Sequence, residues 1–345
     1  MNPKPFKTID QQISILKSRG LLIQNEEAAK NNLRRYGYYE IINGYKDYFL
    51  VGSEDNEADV FKPNVTFEHI FALFTLDRNL RTQVMSALEI FESNLRQAVA
   101  YTISEKYTEL QDSYLKRSNY RTGKKQYYRS LGREAYPIDV LLDVLKRITH
   151  SNAEPFKHYR DKHGNIPPWI IVKKLNFGNL IWWYQLLKGD QKRNVISIMT
   201  GLEPTLIEQL PDFEKGYTSL LSLYLDYRNT AAHGGRIYNH FSKIHELPYN
   251  KVIHTLMEIS PADYRNNKGK SRLGTLAKAL NIADDKTAYN ELRIGLGIYI
   301  NQYLELYPDE KNYLCDQMEL SAEYLNKDFL ERTKITVDSD VKPEK

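Results

Sequence analysis

The chain has 345 residues, enough to bury a sizeable core and to form roughly two or three structural units. Its 48 basic and 44 acidic residues leave a net charge of +4, which excludes a histone-like polycation and confines nucleic-acid binding to local patches. The lone cysteine, Cys315, excludes an intramolecular disulfide framework and a cysteine-rich zinc site, and with no long apolar run and no signal-peptide order it points to a cytoplasmic protein without a membrane span.

Apolar spacing predicts a helix from Ile9 to Arg19 that stops at Gly20, and Asn25 is a candidate N-cap for a second helix over Glu26 to Tyr36, ending at Gly37. The second helix is only mildly basic, which favours a packing module over a helix-turn-helix DNA reader. Residues Gly52 to Asp59 read as an acidic exposed loop, and the first boundary is set there, giving an N-terminal helical module over 1–58. A long helix follows from about Phe67 to Tyr107, with Leu80, Val84, Leu88, Phe91, Leu95 and Val99 spaced by three or four and no internal proline or glycine. Glu92 and Arg96 lie four apart on one of its faces, as an ordinary ion pair also would.

The next segment is the most basic of the chain. Lys116, Arg117, Arg121, Lys124, Lys125, Arg129 and Arg133 follow one another with no acidic residue between, interleaved with Tyr120, Tyr127 and Tyr128. Positive charge mixed with aromatic rings suits a phosphate backbone with unpaired bases, although a solvated charged loop has the same composition. Most of the 26 tyrosines are expected in half-buried core positions. A helix is predicted over Pro137 to Thr149, then a loop over Asn152 to Pro168, where His158 and His163 lack the company of a metal site. Pro167-Pro168-Trp169 starts another helix, and Trp182 and Trp183 sit on an apolar stretch from Asn179 to Leu187, as core or dimer contacts.

A helix from about Asp212 to His233, anchored by Leu220, Leu221, Leu223, Tyr224 and Tyr227, delivers the most informative motif: Arg228, Asn229, His233, Gly234, Gly235, Arg236. Cutting RNA without a metal needs a group of near-neutral pKa to move protons and a fork-shaped cation for the charge gathering on phosphorus, roles that suit His233 and Arg228. Asn229, four residues before His233, shares its face on a continuous helix and can orient the imidazole. Gly234-Gly235 marks a helix stop, where the negative end of the helix dipole favours a protonated imidazole. The five-residue offset turns roughly 140°, so Arg228 and His233 do not stack in one copy, and two copies across a two-fold axis would converge them. An exposed helix arginine followed by a capping histidine is the plainer reading of the same spacing.

Arg228-Asn229-x-x-Ala232-His233 followed by Arg236-x-Tyr238-Asn239 resembles the signature of the abortive-infection Abi family (AbiD/AbiF type), a branch of the HEPN ribonuclease superfamily. Further motifs resemble the same family in its order. They are Lys4-Pro5-Phe6 with Ile13, Leu16 and Arg19-Gly20-Leu21; Tyr38-Tyr39 with Gly44-Tyr45; Asp77-Arg78-x-Leu80-Arg81 with Glu89, Glu92 and Arg96; and Pro168-Trp169 with Phe177-Gly178-Asn179-Leu180. The resemblance covers roughly residues 4 to 240. It implies an all-α, HEPN-type helical bundle, with a catalytic domain over 59–245 in which Arg228 stabilises phosphate, His233 transfers protons and Asn229 orients. It also implies that Glu92, Arg96 and Arg236 support that site, that the basic segment guides RNA, and that a small structured RNA controls the enzyme as inhibitor or guide.

Beyond His245 the match fades. Tyr264 to Arg272 reads as a second basic loop, helices are expected over Lys286 to Tyr307 and Lys311 to about Arg332 within a C-terminal region 246–332, and 333–345 reads as a disordered tail. No phosphate loop, nucleophile elbow, His-Glu-x-x-His or carboxylate cluster is present, so neither a cofactor nor a metal is expected. The expectation is a homodimeric, metal-independent RNA endonuclease acting as a toxin-like effector in phage defence. The alternative is a catalytically silent HEPN module that binds RNA or protein.

Overall fold

The computed structural model describes residues 5–51 and 59–321. Thr8 opens helix α1 (Ile9–Ser18) through a reciprocal capping box with Gln11. Asn25 caps α2 (Glu26–Tyr36) by accepting from the Ala28 amide, and Gly37 closes it at φ +85°. Short turns over Tyr39–Asn43 and Lys46–Phe49 lead onward, with Ile41, Ile42, Tyr45 and Phe49 buried. Most of the expected acidic loop lies outside the described residues. At its end Asp59 pairs with Arg19 and Lys46, tying the chain back to α1.

Helix α3 (Phe67–Tyr107) is the axis of the molecule and has the bounds its periodicity predicts. Leu73, Leu80, Val84, Leu88, Leu95 and Val99 are all fully buried, each contributing on the order of 1.5–3 kcal/mol of apolar burial. After α4 (Gln111–Tyr114) comes the basic segment, over which the sequence predicts neither helix nor strand. It folds into an antiparallel hairpin of β1 (Gln126–Tyr128) and β2 (Arg133–Ala135), in register Gln126↔Ala135, Tyr127↔Glu134 and Tyr128↔Arg133. Gly132 supplies a left-handed turn residue at φ +62°.

Helix α5 (Pro137–Thr149) matches its predicted bounds. The segment read as loop over 152–168 instead contains α6 (Phe156–His163), because Phe156 is buried and Gly164 gives the left-handed cap that ends the helix. The chain continues through α7 (Pro168–Ile171), α8 (Phe177–Leu186), α9 (Gly189–Thr200) and α10 (Pro204–Glu208) to α11 (Pro211–Ala232). Leu220, Leu221, Leu223, Tyr224 and Tyr227 of α11 are all buried.

The C-terminal part adds α12 (Lys251–Leu256), α13 (Pro261–Arg265), α14 (Leu273–Leu280), α15 (Thr287–Leu306) and α16 (Lys311–Met318). Part of the basic stretch from Tyr264 to Arg272 is thus helical. Helix α15 lies along α3 so closely that a Cβ on Gly295 would sit 2.3 Å from the Gln83 side chain. The last expected helix ends at Met318 rather than near Arg332, because Glu319 turns left-handed at φ +55° and its carboxylate accepts from the Gly269 amide. The segment 333–345, expected as a disordered tail, lies outside the described residues. One apolar core runs from Ile13 to Leu320, and among the described residues the fold is all-α apart from one hairpin.

Candidate active site

Helix α11 ends in a Schellman turn. The Gly235 amide donates to the Thr230 carbonyl at 2.8 Å and the Gly234 amide to Ala231 at 3.3 Å, with Gly234 at φ +75°. A Cβ on Gly235 would meet Thr230 Cγ2 at 2.6 Å, so the turn closes only over a glycine. His233 is the cap residue, its amide still bonded to the Asn229 carbonyl at 3.0 Å. Its side chain is exposed and, among the described residues, has no hydrogen-bond or ion-pair partner. Asn229 is exposed one turn below.

Arg228 points elsewhere. Its Nε lies 4.0 Å from Glu92 Oε2, while the other oxygen of that carboxylate is bonded by Arg96. Arg96 also donates to the carbonyl of Val172, in the turn (Val172–Lys174) that leads to α8. Glu92 thus stands between two guanidiniums, buried on α3, beside an Arg228 side chain that is one-third exposed. The buried Arg228 Nε has no hydrogen bond of its own. Nothing bonds Arg228 to His233, as their angular offset on the helix leads one to expect. Arg236 donates to the Gly44 carbonyl at 2.6 Å, so it ties the loop after His233 to the turns that follow α2.

Several residues to which sequence reasoning gave no role in the site shape this region. Asp77, fully buried on α3, accepts from the amides of Ile237 and Tyr238 at 2.8 and 2.7 Å and from the Tyr45 hydroxyl at 2.6 Å. Burial pushes its carboxyl up from the ordinary range, and the three donors oppose that shift. Arg81, one turn on, donates to the Gly234 carbonyl at 2.9 Å. Asp226 lies seven residues before His233, on the same face of α11, and holds His240 at 2.7 Å with His245 at 3.8 Å. The only sequence signal for these partners was the Asp77-to-Arg81 motif and two histidines following the Gly-Gly turn.

The basic segment is partly engaged. Arg117 pairs with Asp139 and Lys125 with Glu134 across the hairpin, whereas Lys116, Arg121, Lys124, Arg129 and Arg133 are exposed with no acidic partner among the described residues. Of the interleaved tyrosines, Tyr120 is buried, Tyr128 stacks on the half-buried Trp182 at 6.2 Å, and Tyr127 is exposed. Trp183 is a core residue. No described group of three or more His, Cys, Asp or Glu side chains is arranged to hold a metal ion, and no described helix is long and apolar enough to cross a membrane.

No curated protein and no solved structure gives a significant match to the chain. A family model described as "Abi-like protein" matches residues 31–239, which takes in α3, the basic hairpin and the whole turn after α11. That match spans more than half of the 345 residues, and the chain belongs to the Abi-like protein family.

Proposed function

We propose that this protein is a metal-independent RNA endonuclease of the HEPN type, a cytoplasmic, toxin-like effector of abortive infection in phage defence. The observation that carries the reading is the division of labour at the end of α11. One guanidinium lies beside the Glu92 carboxylate on a side chain that stays one-third exposed, and one imidazole is displayed at the helix stop with no partner among the described residues. His233 takes the proton of a ribose 2'-hydroxyl, the oxygen attacks phosphorus, and Arg228 stabilises the charge on the phosphoryl oxygens. The 5'-oxygen leaves with a proton, and the product carries a 2',3'-cyclic phosphate. Asn229 orients the imidazole or a phosphate oxygen.

Because Arg228 and His233 face different ways within one copy, the full site forms across a two-fold axis in a homodimer, where a second His233 supplies the leaving-group proton. Phe241 and Ile244, exposed just after the motif loop, give that interface apolar area. Arg236 acts by holding the loop. The cations of the hairpin region that have no acidic partner among the described residues, with Tyr127, guide substrate or hold a small controlling RNA.

The same division of side chains also fits a silent HEPN module in which Arg228 and His233 are contacts only. Mixing wild type with excess His233→Ala protomers separates the two. A shared site gives no cleavage of total RNA in EDTA by Arg228→Ala or His233→Ala alone, unchanged RNA affinity, and loss of the wild-type cleavage as mixed dimers form. A silent module gives no wild-type cleavage after bound RNA has been stripped.

A further inference from the structure

A carboxylate in the middle of an apolar helix face is costly unless every lone pair is used, and Asp77 is fully buried between Leu76 and Leu80. What it uses its oxygens on is specific. Oδ1 takes the successive amides of Ile237 and Tyr238, 160 and 161 residues away in sequence, and Oδ2 takes the Tyr45 hydroxyl. Arg81 lies 3.5 Å from the same carboxylate and donates to the carbonyl of Gly234, with Gly235 at 3.4 Å. The two side chains therefore hold donors and acceptors of the main chain from Gly234 to Tyr238, a stretch with no helix or strand to satisfy it.

We propose that Asp77 and Arg81 are positioning residues for His233: from α3 they clamp the loop that begins one residue after the histidine, and through Tyr45 they tie its placement to the N-terminal module. The clamp has further contacts on that side. Arg236 reaches Gly44, and the Tyr45 ring lies against Tyr238 at 5.9 Å. Tyr238 in turn meets Tyr313 of α16 at 3.4 Å between hydroxyls, so the C-terminal region touches the same loop. This inference rests on the nuclease reading for its catalytic consequence, but the clamp itself does not.

The test is Asp77→Asn in the full chain. The amide oxygen still accepts from both main-chain N–H groups, without the charge that strengthens those bonds. Three quantities are read: hydrogen exchange at Ile237 and Tyr238, the His233 ring resonances assigned by their loss in His233→Ala, and kcat and KM for RNA cleavage. The expected result is exchange faster by roughly ten-fold, displaced His233 resonances, and kcat lower by about ten- to hundred-fold with KM within about two-fold. Unchanged exchange overturns the clamp. Faster exchange with His233 resonances and kcat both unchanged overturns the positioning role. Should the wild type cleave no RNA, the nuclease reading fails, and the ring resonances alone decide whether Asp77 positions His233. If Asp77→Asn does not fold, Arg81→Lys leaves the buried carboxylate intact and is read by the same three measurements, with the same outcomes for and against.

Discussion

Replacing Glu92 by Gln removes the charge that sits between two guanidiniums, and the structure says how the loss should divide. Arg96 makes a direct hydrogen-bonded pair with Glu92, four residues away on the same helix, with side chains only 20% and 10% exposed. Removing one member of such a pair strands the other, at about 3–5 kcal/mol for full burial, so a partly exposed pair should lose about 2–3 kcal/mol. Arg228 is 4.0 Å away and 32% exposed. Its attraction to Glu92 is about 4 kcal/mol at an effective dielectric constant of 20, and solvent screening reduces the net effect to on the order of 1 kcal/mol. Urea unfolding of the single and double variants with Arg96→Gln and Arg228→Gln gives both coupling energies. The account expects the coupling to Arg96 to exceed that to Arg228, and Glu92→Gln to lower kcat by freeing the Arg228 fork. A coupling to Arg228 indistinguishable from zero, with unchanged kcat, would refute the idea that Glu92 steadies the arginine.

The two glycines after His233 should respond differently. Gly234→Ala meets open space but places an alanine at φ +75°, at a cost of about 1–2 kcal/mol, whereas Gly235→Ala carries no such backbone strain and drives a methyl into Thr230, so only its loss should be partly rescued by Thr230→Ser; thermal unfolding of the three variants checks this. Burial holds the His254 imidazole below its ordinary range, so its neutral form is favoured in the fold. The stability it supports is fully present above the unfolded value near 6.5 and is lost as pH falls through the lower folded value. Urea midpoints from pH 7.5 downward should therefore fall more steeply for the wild type than for His254→Gln, by at most about 1.4 kcal/mol per pH unit. Replacing Arg121, Arg129 and Arg133 together by Gln should reduce the slope of log RNA affinity against log salt by about 2, and an unchanged slope would remove the hairpin from the RNA path.

Local signals were well written in the sequence. Asn25, Gly37 and Pro137 mark helix ends because capping is decided by neighbours in the chain, and the bounds of α3 follow from a periodic stripe uninterrupted by proline or glycine. The Arg228-to-Gly235 stretch was legible as a helix end for the same reason. The hairpin was not, because its strands are three residues long and mostly exposed, too short for an alternation to register. Helix α6 was hidden by a polar composition that buries only Phe156. The placement of the candidate site depends on contacts that no local pattern carries. Glu92 reaches Arg228 from another helix, and Asp77 reaches Ile237 across 160 residues. Glu92 and Asp77 both stood inside quoted motifs, but their partners become visible only in the folded chain.

On the proposed mechanism, Arg228 and His233 cut RNA by internal attack of the ribose hydroxyl. The measurement that meets it most directly is the chemistry of the RNA ends left by the purified protein in excess EDTA, compared with His233→Ala. The expected result is 2',3'-cyclic phosphate ends from the wild type, none above background from the variant, and equal RNA affinity for both. Cleavage that persists in His233→Ala, or wild-type ends that carry a free 3'-hydroxyl, would contradict it.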